Sequence, residues 1–196
     1  MKKSTVTLLT SIGILLVIVG WVVRAYNGLV TLDEETNGKW AQVESAYQRR
    51  ADLIPNLVNT VKGYANFEKE TLTGVIEARS KATGITVDAN NLSPEAIANF
   101  QAAQSQLGSA LSRLLVTVER YPDLKANQNF LGLQSQLEGT ENRIKIERDR
   151  FNTSIKNYNS TIRKFPKTVI ASRFGFEKKG YFEADQGTEN VPNVSF

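Results

Sequence analysis

Residues 48–64 read QRRADLIPNLVNTVKGY. Ile54, Leu57, Val58, Val61 and Tyr64 recur at steps of three and four, the period of one face of an α-helix. Arg49, Asp52, Asn56 and Asn59 follow the same steps on the other side and form a shared polar face. Pro55 stands between the two sets. A proline inside a helix removes one backbone hydrogen bond, frees the carbonyl four residues earlier (here Ala51) and costs ~3 kcal/mol. Water, a neighbouring side chain or a bound partner must satisfy that carbonyl. The polar face is therefore open to two roles. It is a docking patch at a kink, or it is the ordinary surface of a long helix bent around its core.

The helical period extends outward from this block. Upstream it takes in Trp40, Val43 and Tyr47; downstream it takes in Ala65, Leu72, Val75 and Ile76, with polar gaps near Arg50 and at Glu68. Thr31 to Glu34 fits a capping box, and Arg79, Lys81, Thr83 and Gly84 form a stop signal. The spacing predicts one amphipathic helix over 33–82. Ser93-Pro94-Glu95 reads as an N-cap, a first-position proline and a first-turn acid, opening a second helix over 94–121. A third, over 124–164, carries Phe130, Leu137, Ile144, Phe151, Ile155, Tyr158 and Ile162 and stops before Pro166. Nothing alternates as a strand pair. The expected class is all-α, an elongated antiparallel bundle across 33–166, because helices this long need partners of similar length. Residues 167–196 hold Phe174, Phe176, Tyr181, Phe182 and Phe196, with a short helix expected over 168–173. Such aromatics are expected to cap the open end of the bundle rather than to touch a membrane.

The N-terminus sets the compartment. Thr5–Val23 is uncharged (TVTLLTSIGILLVIVGWVV) and at ~1.5 Å per residue covers ~28 Å, close to the ~30 Å hydrocarbon thickness of a bilayer. Trp21 and Tyr26 stand where interfacial aromatics belong, and Lys2 and Lys3 precede the run. These features predict residues 1–4 in the cytoplasm, a transmembrane signal anchor over 5–23, a juxtamembrane linker over 24–32 with a weak breaker at Asn27-Gly28, and the remainder outside. Cleavage after Ala25 is the competing reading, but the apolar run exceeds a typical signal-peptide core and Arg24 sits badly for a cleavage site. The anchor has no GxxxG dimer motif.

Composition removes most chemistry. The chain has no histidine and no cysteine, which excludes disulfide scaffolds, Cys/His zinc sites, Ser-His-Asp triads and Cys/His nucleophiles. Net charge is +4, with two of those charges on Lys2 and Lys3, so nucleic acid is not an expected partner. ENRIKIERDR (141–150) interleaves acids and bases, with Glu141 and Lys145 at i,i+4, and reads as a solvated helix surface. Glu68, Glu70, Glu77, Glu119, Glu138 and Glu141 do not stand out as paired carboxylates for acid–base work. No catalytic, metal or cofactor residues are expected.

Many stretches together resemble the LemA family of bacterial membrane-anchored proteins. They include YNGLVTLDE (26–34), WAQVESAYQRRADLIPNLV (40–58), VKGYANFEKETL (61–72), LSRLLVTVERYPDLKANQNFLGLQSQLEGTENRI (111–144), FGF (174–176), YFEA (181–184) and VPNVSF (191–196). The resemblance implies one N-terminal transmembrane helix carrying an elongated helical bundle, without an established activity, cofactor or catalytic residue. The resulting expectation is a non-enzymatic scaffold or interaction protein of the bacterial cytoplasmic membrane. Its partners would be the bilayer through residues 5–23, and either further copies of itself, by lateral packing of the long exposed helices, or a membrane protein docked on the candidate interaction face of Arg49, Asp52, Asn56 and Asn59. An accessory subunit of a membrane protease or transporter is the first alternative, and an enzyme with an unrecognised carboxylate site the second.

Overall fold

The computed structural model describes residues 3–64 and 67–183. Residues 1–2, 65–66 and 184–196, among them Ala65 and Phe196 of the expected apolar pattern, lie outside the described residues. Within them the secondary structure is helical: α1 (Lys3–Lys62), α2 (Lys69–Gly84), α3 (Pro94–Val118), the single turn α4 (Pro122–Lys125), α5 (Gln128–Arg163) and α6 (Lys167–Phe174). The all-α class and the bundle behind a long apolar N-terminal helix are as expected.

α1 and α5 run antiparallel along each other. Asn127 donates to the Tyr64 hydroxyl at one end, Arg50 meets Glu141 farther along, and Leu29 packs with Tyr158 and Ile162 at the other end. α2 and α3 form a second antiparallel pair, tied by Glu68 to Arg120 at one end and by Ala82 to Gln104 near the other. Three core clusters follow the long axis. The one farthest from the N-terminal apolar run holds Ile54, Leu57, Val61, Val75, Leu107, Leu114 and Phe130. The middle one is built on Trp40, Tyr47, Phe100, Phe151 and Phe182. The third, beside the apolar run, joins Ala25, Leu29, Tyr158, Ile162, Ile170 and Ala171. The bundle thus narrows from four helices to α1, α5 and α6.

Two expected boundaries are corrected. The linker expected over 24–32 is helical and continuous with the apolar run. Gly28 costs ~1 kcal/mol in a helix interior, but Ala25 and Leu29 bury one face of this turn against α5 and α6. Thr31 does not cap a helix; its hydroxyl donates to the Asn27 carbonyl inside the same helix. The helix expected over 33–82 is two. α1 stops at Lys62, and α2 begins at Lys69 and runs back along it. Lys62-Gly63 is itself a basic last turn followed by glycine, masked because the apolar stripe resumes in helical phase beyond the reversal. Smaller shifts occur at Tyr121, where α3 has already ended and Pro122 opens α4, and at Asn127, whose side chain accepts from the Phe130 amide and starts α5 later than expected.

The fold also answers the question posed by Pro55. The ring is exposed and lies within α1, and the freed Ala51 carbonyl accepts a 2.8 Å hydrogen bond from Arg79 Nε on α2. A charge-assisted bond of this kind contributes ~1.5–3 kcal/mol, the same order as the proline's cost. Arg79→Met should destabilise the protein by ~1–3 kcal/mol in urea denaturation. In a Pro55→Ala background, where the Ala51 carbonyl regains its helical partner, the same substitution should cost clearly less. Equal costs in the two backgrounds would exclude this role for Arg79.

Candidate functional site

Of the aromatics expected to cap the bundle, Phe174 and Phe176 pack against Tyr26 at its narrow end, whereas Phe182 does not. Gly175, at φ 78°, closes α6 in the left-handed conformation that favours glycine. The chain then runs back as an extended strap along α3 and α5. Asn159 grips the strap at Lys179, donating to its carbonyl at 2.8 Å and accepting from its amide at 3.0 Å. Asn152 makes the same pair of bonds with Phe182, and Gln101 of α3 makes it with Glu183. Side-chain amides therefore supply what a neighbouring strand would. Gly180 donates to the Leu92 carbonyl so closely that a Cβ there would lie 2.6 Å from the Pro94 Cα. Phe182 enters the middle core, stacking near Trp40 and edge-on to Phe151.

Lys179 carries a charge into this packing. Its ammonium donates to Asp33 at 2.9 Å and to Asn37 at 2.8 Å and lies 5.2 Å from the centre of the Tyr158 ring. Burial, followed by the Asp33 carboxylate that shares a hydrogen bond with its hydroxyl, raises the Tyr158 phenol well above its ordinary value. A second buried charge lies farther along α1. Arg50 is only 3% exposed and donates to Glu141, to the Gln104 backbone carbonyl and to the Gln104 side chain. Gln104 in turn donates to the Ala82 carbonyl at the end of α2, and the guanidinium lies 5.0 Å from the Tyr47 ring centre. One arginine thereby ties the α1/α5 pair to the α2/α3 pair.

Beside this arginine lies a groove of about 1030 Å³ between α3 and α5, entered at one end by the strap. On the α3 side it is lined by Ala98, Ala102, Ser105, Ser109 and Ser112, spaced by threes and fours. Small side chains leave the two helices apart, and the strap fills part of the space.

The polar face singled out from sequence lies elsewhere. Arg49, Asp52, Asn56 and Asn59 are all exposed on one face of α1, with Gln48 donating to Asp52 at 2.8 Å. Glu68 pairs with Arg120, Glu119 with Lys125 and Glu141 with Arg50, while Glu138 accepts from Gln134. Among the described residues, no group of three or more acidic side chains could hold a metal ion. The mixed-charge run 141–150 is not simply a solvated face. Glu147 is buried between Arg143 at 2.8 Å and Arg150 at 2.9 Å, and Arg148 covers the Phe182 ring and donates to the Glu183 carbonyl. Sequence reading passed over Arg50, Glu147 and the amide clamps. A signal existed for the first two: each continues the apolar stripe, Arg50 between Tyr47 and Ile54, and Glu147 between Ile144 and Phe151. For Asn152 and Asn159 a seven-residue spacing was the only sign.

Gly180→Ala should push the strap off Pro94, with an overpacking cost of ~1–3 kcal/mol. Hydrogen exchange should quicken at residues 179–183 while α2 stays protected; unchanged exchange at the strap would contradict the close approach. Tyr158 gives a pH prediction. Its phenol stays protonated in the folded protein where the unfolded chain would ionise, so its contribution to stability is complete below pH 10.0 and is lost as pH rises beyond it. Tyr158→Phe should flatten that part of the alkaline decline in thermal melts, and an unaltered profile would count against it.

Residues 39–196, well over half of the chain, match the LemA family. Similarity extends to named proteins. The magnetosome protein MamQ of Magnetospirillum gryphiswaldense is 27% identical over 205 residues, covering 93% of this chain and 74% of MamQ. MamQ 2 of Paramagnetospirillum magneticum is 27% identical over 179 residues, covering 81% of this chain and 64% of that protein. Protein LemA of Metamycoplasma hominis is 28% identical over 160 residues, covering 82% and 69%. Together with the exposed apolar N-terminal helix, long enough to cross a membrane, these matches make the protein LemA-like and membrane-associated: the chain belongs to the LemA family.

Proposed function

We propose that the protein is a non-enzymatic membrane scaffold that holds a helical bundle at a fixed height above the bacterial cytoplasmic membrane and associates with further copies through one face of α1. The observation that carries this reading is the continuity of α1. The apolar run and the first bundle helix are one helix, so the bundle cannot swing relative to its anchor. At ~1.5 Å per residue, Arg49 stands ~39 Å and Asn59 ~54 Å beyond Val23. Every copy therefore presents Arg49, Asp52, Asn56 and Asn59 at the same level, which favours lateral pairing within a membrane. Lys2 and Lys3 ahead of the apolar run support an orientation with the bundle outside the cytoplasm. Glu68, Glu119, Glu138 and Glu141 each pair with a cation or an amide, which lends an enzymatic role no support.

The chain has no cysteine, so Asp52→Cys introduces a single thiol. In native membranes a bismaleimide should link this variant into homodimers, and adding Arg49→Glu should abolish the product. A crosslink to a different membrane protein would favour the accessory-subunit reading. A monomer alone, in folded protein, would exclude both.

A further inference from the structure

Where the bundle meets the anchor, the fold assembles a collar that sequence order disperses. α6 packs Ile170 and Ala171 against Ala25 and Leu29 of α1, with Val22 and Phe176 partly buried alongside. Tyr26 meets Phe174 at 4.9 Å and Phe176 at 5.8 Å between ring centres. α6 therefore sits at the axial level of α1 residues 22–29. Measured from Val23, that level runs from ~1.5 Å inside the hydrocarbon edge to ~9 Å outside it. The headgroup layer on each side of a bilayer is ~5–7 Å deep. Because α1 is unbroken here, the collar keeps a fixed distance along the helix from the apolar run.

Its outward chemistry suits that layer. Phe165 is 83% exposed, Val169 57% and Phe174 54%, an unusual display of large apolar side chains on so short a segment. Arg163, Lys164 and Arg173 are exposed among them and Lys167 is half-buried; Arg24 lies nearby on α1, and residues 163–174 include no acid. Apolar side chains interleaved with long cations are what an interfacial segment uses on a lipid surface: rings enter the acyl boundary and cations reach the phosphates. Continuity with the exposed apolar face of the anchor identifies the occupant.

We propose that α6 and its flanks, residues 163–176, form a membrane-docking collar that binds anionic phospholipid headgroups of the leaflet into which the protein is anchored. The collar holds whichever side of the membrane the bundle occupies, and it rests on the anchor crossing the bilayer.

The test uses the full chain in vesicles and exploits the absence of cysteine. Val169→Cys carries an environment-sensitive fluorophore, with Ile14→Cys as a probe of the anchor and Val116→Cys as a probe of the outer bundle. Vesicles are phosphatidylcholine alone or mixed equally with phosphatidylglycerol, and carry a lipid nitroxide near the headgroup. The label at 169 should be blue-shifted and quenched by the nitroxide, more so with phosphatidylglycerol, while the label at 116 should not. Lys164→Gln, Lys167→Gln and Arg173→Gln together should remove the extra quenching that phosphatidylglycerol produces. If position 14 reports lipid and position 169 behaves like position 116, the collar is overturned while the anchor stands. If position 14 also reports water, both fail. Quenching at 169 that ignores lipid charge would overturn the anionic specificity. A label at 169 shielded from water yet unreached by the nitroxide would overturn the lipid assignment and give the patch to a second copy of this chain.

Discussion

The packing of α1 against the antiparallel α5 and against α6 is the constraint on which the rest depends. Ala25 and Leu29 lie just beyond the apolar run, in a stretch that also contains Asn27 and Gly28 and is a poor helix former on its own. Their burial against Tyr158, Ile162, Ile170 and Ala171 keeps α1 helical there. Without that contact the N-terminal run and the bundle would be two bodies joined by a hinge. With it, heights and facings relative to Val23 become properties of a single rod.

A long, thin bundle has little core per residue, and this one supplements the apolar clusters shared by its two helix pairs with polar groups that bond across them. Arg79 satisfies the carbonyl that Pro55 strands. Arg50 and Gln104 close a chain of hydrogen bonds from Glu141 to the end of α2. Asn152, Asn159 and Gln101 serve the backbone of a strap that has no strand beside it. Buried amides and charges are costly when unpaired and favourable only in the right geometry. Such contacts therefore select one register of the helices more sharply than apolar packing does. They also explain the charge buried on Lys179, which is held by Asp33 and Asn37 on α1.

Much of this architecture was legible in advance. The three-and-four spacing of Trp40, Val43, Tyr47, Ile54, Leu57 and Val61, and of Phe130, Leu137, Ile144, Phe151 and Tyr158, is a local consequence of helical geometry and needs no partner to be read. The Ser93-Pro94 start and the stop before Pro166 are equally local. The reversal after Lys62 was hidden because period alone cannot distinguish a continued helix from a second helix in phase. Arg50 and Glu147 look like interruptions of an apolar stripe, and only their partners make them part of it. Arg49, Asp52, Asn56 and Asn59 are all exposed on α1, and spacing on one helix decides which residues share a side.

The sequence by itself determined the all-α class, the apolar run of membrane-spanning length, the exclusion of histidine and cysteine chemistry, and the residues on each helix face. All of these follow from composition or from contacts within a few turns. Only the tertiary structure decided that the run and the bundle share one helix. It also decided that Pro55 is answered by Arg79, that residues 179–183 are held by side chains of α3 and α5, and that α6 comes to lie beside Tyr26. Each of these depends on groups brought together from distant parts of the chain, where no local pattern specifies the partner.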